Sequence, residues 1–325
     1  MALAERINRL HTLLAMLAPV PNEWLGEPKA VKEKAAGIVC IPCDSYKKLL
    51  ATWKKALKWN EHLDHGLGFM LAVVTSTKCV GTQLWGKVYA PAGGGKTTIA
   101  EAVGTNREYV YPKDTLTGLF SGYQPDGGES DFSMINQING KTLIIKDADT
   151  LMQSSNLGQI ISQFRALYDR AIRTQFKNKM SRNYEGLNTT VIFCGTSSMR
   201  MLDSSELGER FLDCVMMDRI DEELEDEINW RVINRADRNL ALESNSKPET
   251  QQDPEMTAAM QLTGGYVDYL RKNASDLLSQ VEGDDDAKRH CMALGKFVAH
   301  MRARPSTRQD EEAEREFSAR LVEQL

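Results

Sequence analysis

The chain has 325 residues, of which 42% are hydrophobic and 26% are charged, as is usual for a globular protein with two or three structural units. The net charge of −5 excludes a uniformly basic nucleic-acid coat, so any contact with DNA or RNA must come from a local basic patch. No apolar run approaches the roughly 18 residues of a membrane-spanning helix, and the amino terminus lacks a signal-peptide pattern, so we expect a cytoplasmic protein with no membrane partner.

Residues 1–75 are predicted to form an N-terminal helical region. The clearest helix covers residues 47–59, where apolar side chains recur at helical spacing between lysines, and a more buried helix is predicted over 63–74. Upstream of both, Cys40 and Cys43 have the spacing of a metal-binding or redox pair. No second pair completes a zinc site, so we expect buried, reduced thiols instead.

Residues 76–220 are predicted to form an α/β core. Apolar, strand-like runs alternate there with helix-like segments, a pattern typical of a parallel sheet that carries helices on its faces. The predicted strands are 84–89, 108–111, 142–146, 189–194 and 211–217. Residues 221–325 are acidic and strongly helical, so a C-terminal helical lid is expected to follow the core.

The most specific motif is the run 90–98, which reads APAGGGKTT and matches a phosphate-binding P-loop. In such a loop, backbone N–H groups surround an anion at the start of a helix, the lysine contacts the β- and γ-phosphates, and the hydroxyl binds Mg²⁺. Ala90 stands where many P-loops have their first glycine, at a position that closes the turn without touching phosphate. The sequence therefore predicts ATP and Mg²⁺ as cofactors, with Thr97 on the metal. The predicted binding residues are Ala92, Gly93, Gly94, Gly95, Lys96, Thr97 and Thr98.

A second element of a nucleotide site is the run 142–149, TLIIKDAD, an apolar strand that ends in carboxylates. This is the Walker B arrangement, in which Asp147 is predicted to hold Mg²⁺, mainly through water. Many motor ATPases have a glutamate directly after this aspartate to orient the attacking water, but this chain has Ala148.

The missing glutamate leaves the catalytic base open. Asp149 is the provisional base, because it is the next carboxylate after Ala148. The alternatives are a base from another segment, such as Glu129 or Asp131, or slow turnover.

Two further polar positions fit the same kind of site. Thr196 follows the apolar strand 190–195 and is the candidate for a residue that senses the γ-phosphate, with Ser197 as the second choice and a simple polar turn as the alternative. Arg210 precedes the last predicted strand, where a ring ATPase presents an arginine finger to its neighbour's γ-phosphate. The alternative for Arg210 is a surface salt bridge to one of the glutamates just before it, Glu206 or Glu209, which would contribute little stability.

With these elements in this order, the chain resembles the AAA+ ATPases, the ring-forming motor class. The segments LTGLFSG (116–122), GKTLIIKD (140–147) and LGERFLDC (207–214) resemble ATPases of bacteriophages and mobile elements, akin to replicative helicases of the minichromosome-maintenance type. The resemblance covers residues 63–240 well and the helical end more loosely. It implies a P-loop NTPase fold, a hexameric homo-oligomeric ring that acts on DNA, and a second sensor arginine in the lid, for which Arg320 is the candidate.

One basic stretch could contact DNA. Residues 170–182 carry five positive charges and no negative one, and they lie between the Walker B and sensor strands, where helicase relatives insert a pore-facing hairpin. Asn178 and Gly186 bracket a turn-rich stretch that fits the tip of such a hairpin. The alternative is a solvated helix face, balanced by the acidic residues 221–227.

The sequence thus predicts an ATP-hydrolysing AAA+ ring motor that acts on DNA, as a phage or mobile-element replicative helicase or replication ATPase. The alternatives are a AAA+ ATPase that remodels or regulates a protein partner, and a nucleotide-binding switch that hydrolyses ATP slowly. A small-molecule kinase is favoured least, because a monomeric kinase needs neither the sensor nor the finger.

Overall fold

The computed structural model describes residues 39–78, 83–116, 118–121, 131–176, 181–201, 210–217 and 253–281, together with isolated residues between 226 and 296. Its helices are α1 (Tyr46–Ala56), α2 (Glu61–Ser76), α3 (Lys96–Val103), α4 (Ile135–Ile138), α5 (Asp149–Met152), α6 (Leu157–Tyr168), α7 (Pro254–Lys272) and α8 (Ala274–Val281). Its strands are β1 (Trp85–Tyr89), β2 (Val110–Lys113), β3 (Thr142–Ile145), β4 (Ala171–Gln175), β5 (Ser181–Glu185), β6 (Thr190–Gly195) and β7 (Phe211–Val215). Among the described helices, none combines the length and the apolar character that crossing a membrane requires.

Five of these strands form one parallel sheet, in the order β2-β3-β6-β1-β7. The predicted parallel core is confirmed, with strand bounds shifted by one or two residues. β1, β3 and β6 are buried along their whole length, which explains their nearly unbroken apolar runs. Because all five strands run the same way, their carboxyl ends lie at one edge of the sheet, and we call this the carboxyl edge.

Helices cover both faces of the sheet. On one face, α1, α2, α3 and α7 share a core with the side chains of Val88, Ile144 and Ile192. On the other face, α4, α5 and α6 pack against Trp85, Phe193 and the other alternate residues of the same strands. The alternation follows from strand geometry, since successive side chains point to opposite faces. The result is a three-layer α/β arrangement.

The longer of the two helices described within the predicted lid, α7, belongs to the first of these layers. It packs beside α1, and the indole N–H of Trp53 donates to the hydroxyl of Thr263 at 3.1 Å. The buried guanidinium of Arg271 donates to the carbonyls of Val74 and Gly140 and stacks over Tyr109. Within the described residues, α1, α2 and α7 therefore share a core with the sheet, and the boundaries predicted at residues 75 and 220 stay predictions.

β4 and β5 form an antiparallel hairpin between α6 and β6. The hairpin predicted from the resemblance is therefore present in the described residues, where β4 ends at Gln175 and β5 begins at Ser181. The prediction for Gly186 was wrong. This glycine, with φ of 67°, follows the last residue of β5, whereas the segment that joins β4 to β5 lies before Ser181. Asn178 lies outside the described residues.

Candidate nucleotide-binding site

The P-loop run lies where the motif requires it, between β1 and α3 at the carboxyl edge. Gly93 and Gly95 adopt positive φ angles of 80° and 83°, which glycine reaches without the penalty that a Cβ imposes. Gly95 is the N-cap of α3 and has no side chain to satisfy the first N–H groups of that helix. The loop therefore offers uncapped N–H donors, an arrangement suited to an anion.

Lys96, the first residue of α3, is buried and folds back onto its own loop. Its ammonium donates to the carbonyls of Ala90 at 2.5 Å and Pro91 at 2.8 Å. Desolvation by burial lowers the pKa of Lys96, while nearby Cys194, Asp149 and Asp147 act in the opposite direction. An anion bound at this loop would give the buried ammonium a full negative charge to pair with.

Asp147 and Thr97, the predicted metal ligands, are both exposed at the carboxyl edge. Asp147 follows the end of β3 by two residues. Thr97 lies in the first turn of α3, which begins at the same edge. Hard oxygen donors of this kind suit Mg²⁺, which keeps several waters and takes few protein ligands. The residues present therefore fit a magnesium ion held jointly with phosphate oxygens.

The surroundings of Ala148 explain why this chain has no glutamate directly after Asp147. Ala148 is fully buried in the core of the second face, and its N–H donates to the carbonyl of Cys194 in β6 at 2.9 Å. Burial raises the pKa of the Cys194 thiol to about 12, so this neighbour is neutral near pH 7. A carboxylate at position 148 would have to enter an apolar core, which is costly.

Asp149, the provisional base, contacts Thr196, the provisional sensor. Asp149 Oδ2 accepts from the backbone N–H of Thr196 at 2.8 Å, and Oδ1 accepts from the Thr196 hydroxyl at 3.1 Å. A third donor, the hydroxyl of Ser198, lies 2.6 Å from Oδ1. The sequence singled out Asp149 and Thr196 as separate candidates, but it did not single out Ser198. Ser197, the second choice for the sensor, is exposed at the start of the 3₁₀ helix Ser197–Met201.

Lys146 is a further residue of this edge that sequence reasoning missed. Its ammonium pairs with Asp114, beyond β2, at 2.7 Å and with Glu101 of α3 at 3.2 Å. Burial alone would lower the pKa of Lys146, but its bonds to the two carboxylates raise it above its ordinary value. Lys146 thus links the end of β3 to two neighbouring elements, directly before Asp147. A lysine directly after an apolar run, as in IIKD, is the signal that could have identified it.

Arg210 lies at the opposite edge of the sheet, just before β7. Its guanidinium is 3.5 Å from Asp169, at the end of α6, and 5.4 Å from the ring centroid of Tyr168. The side chain is only 14% exposed. Within this chain, Arg210 is therefore held by α6 and does not join the residues at the carboxyl edge.

The basic stretch 170–182 does not present all its charges in the same way. Arg173 pairs with Glu185 across the hairpin at 3.3 Å, with both side chains largely exposed. Arg182 is instead 90% buried and pairs with Asp131 at 3.0 Å. A buried guanidinium with a carboxylate partner is not available to grip a phosphate, so Arg182 drops out of the candidate DNA contacts.

Asp131, an alternative base, anchors the hairpin. Its two oxygens accept from Arg182, the Ser133 N–H, the Tyr184 hydroxyl and the Asn136 amide, at 2.7 to 3.0 Å. Burial alone would raise the pKa of Asp131, but the hydrogen bonds from Tyr184, Ser133 and Asn136 hold it well below its ordinary value. A carboxylate offers about four acceptor sites, so Asp131 has none left for a water.

Several predicted residues lie outside the described residues. They are Arg320, Glu129, Lys177, Lys179, Glu206 and Glu209. Cys40 and Cys43 are both described, and the Cys43 thiol donates to the Ser45 carbonyl. Among the described residues, no group of three or more His, Cys, Asp or Glu side chains could hold a metal ion.

We compared the chain with models of known protein families and with the sequences of curated proteins, and neither comparison found a match.

Proposed function

We propose that this chain is an ATP-hydrolysing P-loop NTPase of the AAA+ type. The observation that carries the proposal is the strand order β2-β3-β6-β1-β7, because it inserts β6 between the P-loop strand β1 and the Walker B strand β3. That extra strand brings Thr196 to the same edge as Lys96 and Asp147. P-loop ATPases with an additional strand need this order for a sensor to face the γ-phosphate.

The charges at the carboxyl edge suit a metal-bound triphosphate. The uncapped start of α3 and the buried Lys96 favour phosphate oxygens. Exposed Thr97 and Asp147 favour a hard cation beside them. In the proposed reaction, Lys96 neutralises charge on the β- and γ-phosphates and Thr196 donates to the γ-phosphate. Mg²⁺ would add Lewis-acid stabilisation of the phosphate charge.

The position of Arg210 favours an oligomer. β7 has five residues, and at about 3.3 Å a residue it separates Arg210 from the carboxyl edge by about 16 Å. Arg210 therefore cannot reach the nucleotide of its own subunit, whereas a ring would bring it to the next one. To act on the neighbouring subunit, the guanidinium of Arg210 must leave Asp169 and bind the phosphate of that subunit's nucleotide at the interface.

We propose DNA as the substrate that the ring moves along, with the β4–β5 hairpin as its contact. The hairpin lies between α6 and β6, and its outward-facing residues Arg173, Gln175 and Asn183 can meet phosphates. The Arg173–Glu185 pair is exposed, and such pairs contribute little, so Arg173 can change partner at small cost. A replicative helicase of a phage or mobile element is the resulting function.

A second candidate, a slow nucleotide switch, is favoured by one observation. Ala148 removes the usual base, and Asp149 already accepts three hydrogen bonds from Thr196 and Ser198. Asp149→Asn separates the two candidates. If Asp149 orients the water, the variant loses turnover but keeps ATP affinity, because a base acts mainly in the transition state. If turnover is already slow and does not change, the chain acts as a switch.

The test of the proposal is the ATPase rate of the full chain with no DNA, with single-stranded DNA and with duplex DNA, alongside its mass in solution with and without ATP. The proposal expects turnover that DNA stimulates and a mass that rises to a ring when ATP is bound. An active enzyme without DNA stimulation would restrict the function to ATP hydrolysis and turn the search to a protein partner. A chain that neither binds nor hydrolyses ATP would overturn the proposal.

A further inference from the structure

Around Asp149, the side-chain oxygens make more close contacts than the two hydroxyl hydrogens present can bridge. Three oxygen–oxygen distances lie within hydrogen-bond range. They join Thr196 Oγ1 to Asp149 Oδ1 at 3.1 Å, Ser198 Oγ to Asp149 Oδ1 at 2.6 Å, and Thr196 Oγ1 to Ser198 Oγ at 2.9 Å. Each hydroxyl carries one hydrogen, so only two of these contacts can be hydrogen bonds at one time.

The distances decide which hydroxyl is committed to the carboxylate. At 2.6 Å, the Ser198 contact has the length of a charge-assisted O–H···O⁻ bond, whereas the Thr196 contact is 0.5 Å longer. Ser198 therefore gives its hydrogen to Asp149. The hydrogen of Thr196 is held more weakly and can move to another acceptor.

The backbone keeps Asp149 in place when that happens. The Thr196 N–H donates to Asp149 Oδ2 at 2.8 Å and does not depend on how the threonine hydroxyl is turned. Gly195 leaves room for this contact, because a Cβ at that position would lie 3.0 Å from Asp149 Oδ1 and would force the side chain of Met199 to move. A larger residue at position 195 would therefore press on the side chains of both Asp149 and Met199.

We infer that Ser198 is a positioning residue of the ATPase site, which holds Asp149 while the Thr196 hydroxyl turns from that carboxylate to the γ-phosphate. The inference rests on the proposed function. Asp149 would keep two donors, the Ser198 hydroxyl and the Thr196 N–H, throughout the exchange. Without Ser198, the departure of the Thr196 hydrogen would leave Oδ1 without a hydroxyl donor. Asp149 would then either keep the Thr196 hydroxyl or turn away from the site.

The test is steady-state ATP hydrolysis by the full chain, comparing Ser198→Ala, Ser198→Thr and the wild type. A hydrogen bond to a charged group is worth enough that Ser198→Ala should lower kcat by about tenfold to a hundredfold. KM and equilibrium ATP affinity should change by less than about twofold, because the exchange is completed only on the way to the transition state. Ser198→Thr keeps a hydroxyl and should recover most of kcat.

Two controls separate this role from a structural one. Ser279→Ala removes an exposed hydroxyl from α8 that bonds only to the Asp276 carbonyl of its own helix, and it should have no effect. In a Thr196→Val background, Ser198→Ala should lower kcat little further, because the Thr196 hydroxyl that must turn is already absent.

The outcomes distinguish this inference from the proposed function. A wild-type chain without ATPase activity would overturn both. An active wild type with Ser198→Ala at full kcat would overturn the role of Ser198 alone. If Ser198→Ala lowers the melting temperature and weakens ATP affinity by the same factor as it lowers kcat, Ser198 is a structural residue. This outcome also overturns the inference.

Discussion

Two aspartates accept several hydrogen bonds, Asp149 at the carboxyl edge of the sheet and Asp131 beside β5 of the hairpin, but they differ in the acceptor sites left for a ligand or water. Asp131, at the hairpin, accepts four hydrogen bonds, one of them from the buried cation Arg182. Asp149, at the carboxyl edge, accepts three from neutral donors. With about four acceptor sites on a carboxylate, Asp149 keeps capacity for a ligand or water and Asp131 does not. A saturated carboxylate with a cation fixes structure, whereas an unsaturated one beside exposed Asp147 can do chemistry.

The largest effect is expected for Lys96→Ala. It removes the buried ammonium that we assign to the β- and γ-phosphates, so ATP hydrolysis should fall to background while the fold survives. The measurement is the ATPase rate together with circular dichroism and thermal unfolding. Lys48→Ala, which removes an exposed lysine on α1, is the matched control and should keep full activity. Normal turnover in a folded Lys96→Ala chain would contradict the assignment of the whole edge.

Arg210→Ala should lower turnover by a factor on the order of 10³ while ATP still binds, because an arginine finger neutralises charge on the transferred phosphoryl group. Mixing this variant with Lys96→Ala should restore part of the activity, since a mixed ring contains interfaces with an intact P-loop on one side and an intact finger on the other. If subunits exchange and the mixture is no more active than the sum of its parts, Arg210 acts within its own chain, where it contacts Asp169 and Tyr168.

Asp131→Ala should lower the free energy of unfolding by about 2 to 4 kcal/mol, because it removes the carboxylate that pairs with the 10%-exposed guanidinium of Arg182. ATP affinity should stay unchanged. Denaturant unfolding and equilibrium ATP binding measure the two quantities. A stable Asp131→Ala chain that has lost hydrolysis would instead make Asp131 the missing base.

The same aspartate predicts a dependence of stability on pH. Because the folded state holds the pKa of Asp131 below its ordinary value, its contribution is complete above the unfolded pKa of about 3.9. It is lost as the pH falls below that value. Asp131→Asn should therefore show a shallower loss of stability between about pH 5 and pH 2 than the wild type. Parallel acid-unfolding curves for the two chains would show that the carboxylate does not act in this way.

The smallest effect is expected at the hairpin surface. Replacing Arg173, Lys177 and Lys179 with glutamine should weaken DNA binding and flatten the slope of log affinity against log salt by about 0.7 to 0.9 for each lost phosphate contact. Arg173 takes the place of Arg182 in this set, because Arg182 is buried against Asp131. Fluorescence anisotropy at several salt concentrations measures the slope. The exposed Lys48, changed to glutamine, is the control, and an equal slope for all the chains would remove the hairpin as the DNA contact.

The sequence predicted the parts of this molecule that depend on neighbouring residues. The parallel strands β1, β3 and β6 were clear because a strand buried on both faces is a continuous apolar run, and the loop 90–98 was clear because its spacing is local. The structure adds that Asp149 and Thr196 meet at one edge, which is possible because parallel strands end together.

Contacts between distant residues could not be predicted in this way. Asp131 and Arg182 are 51 residues apart, and nothing in the charge pattern of 170–182 distinguishes the buried Arg182 from the exposed Arg173. Ser198 was passed over for Ser197 because both follow the strand, and only the turn of the 3₁₀ helix brings Ser198 to Asp149. Likewise, the packing of α7 beside α1 depends on contacts such as that of Trp53 with Thr263, which are 210 residues apart in the chain.

The most direct test of the central claim, that the carboxyl edge is an ATP site, is a crystal structure of the full chain with a non-hydrolysable ATP analogue and Mg²⁺. We predict that the Lys96 ammonium leaves the carbonyls of Ala90 and Pro91 and lies on the β- and γ-phosphates, with Mg²⁺ between Thr97 and Asp147 and the Thr196 hydroxyl turned toward the γ-phosphate. A nucleotide bound elsewhere, or a Lys96 that still donates to Ala90 and Pro91 at saturating analogue, would contradict the account.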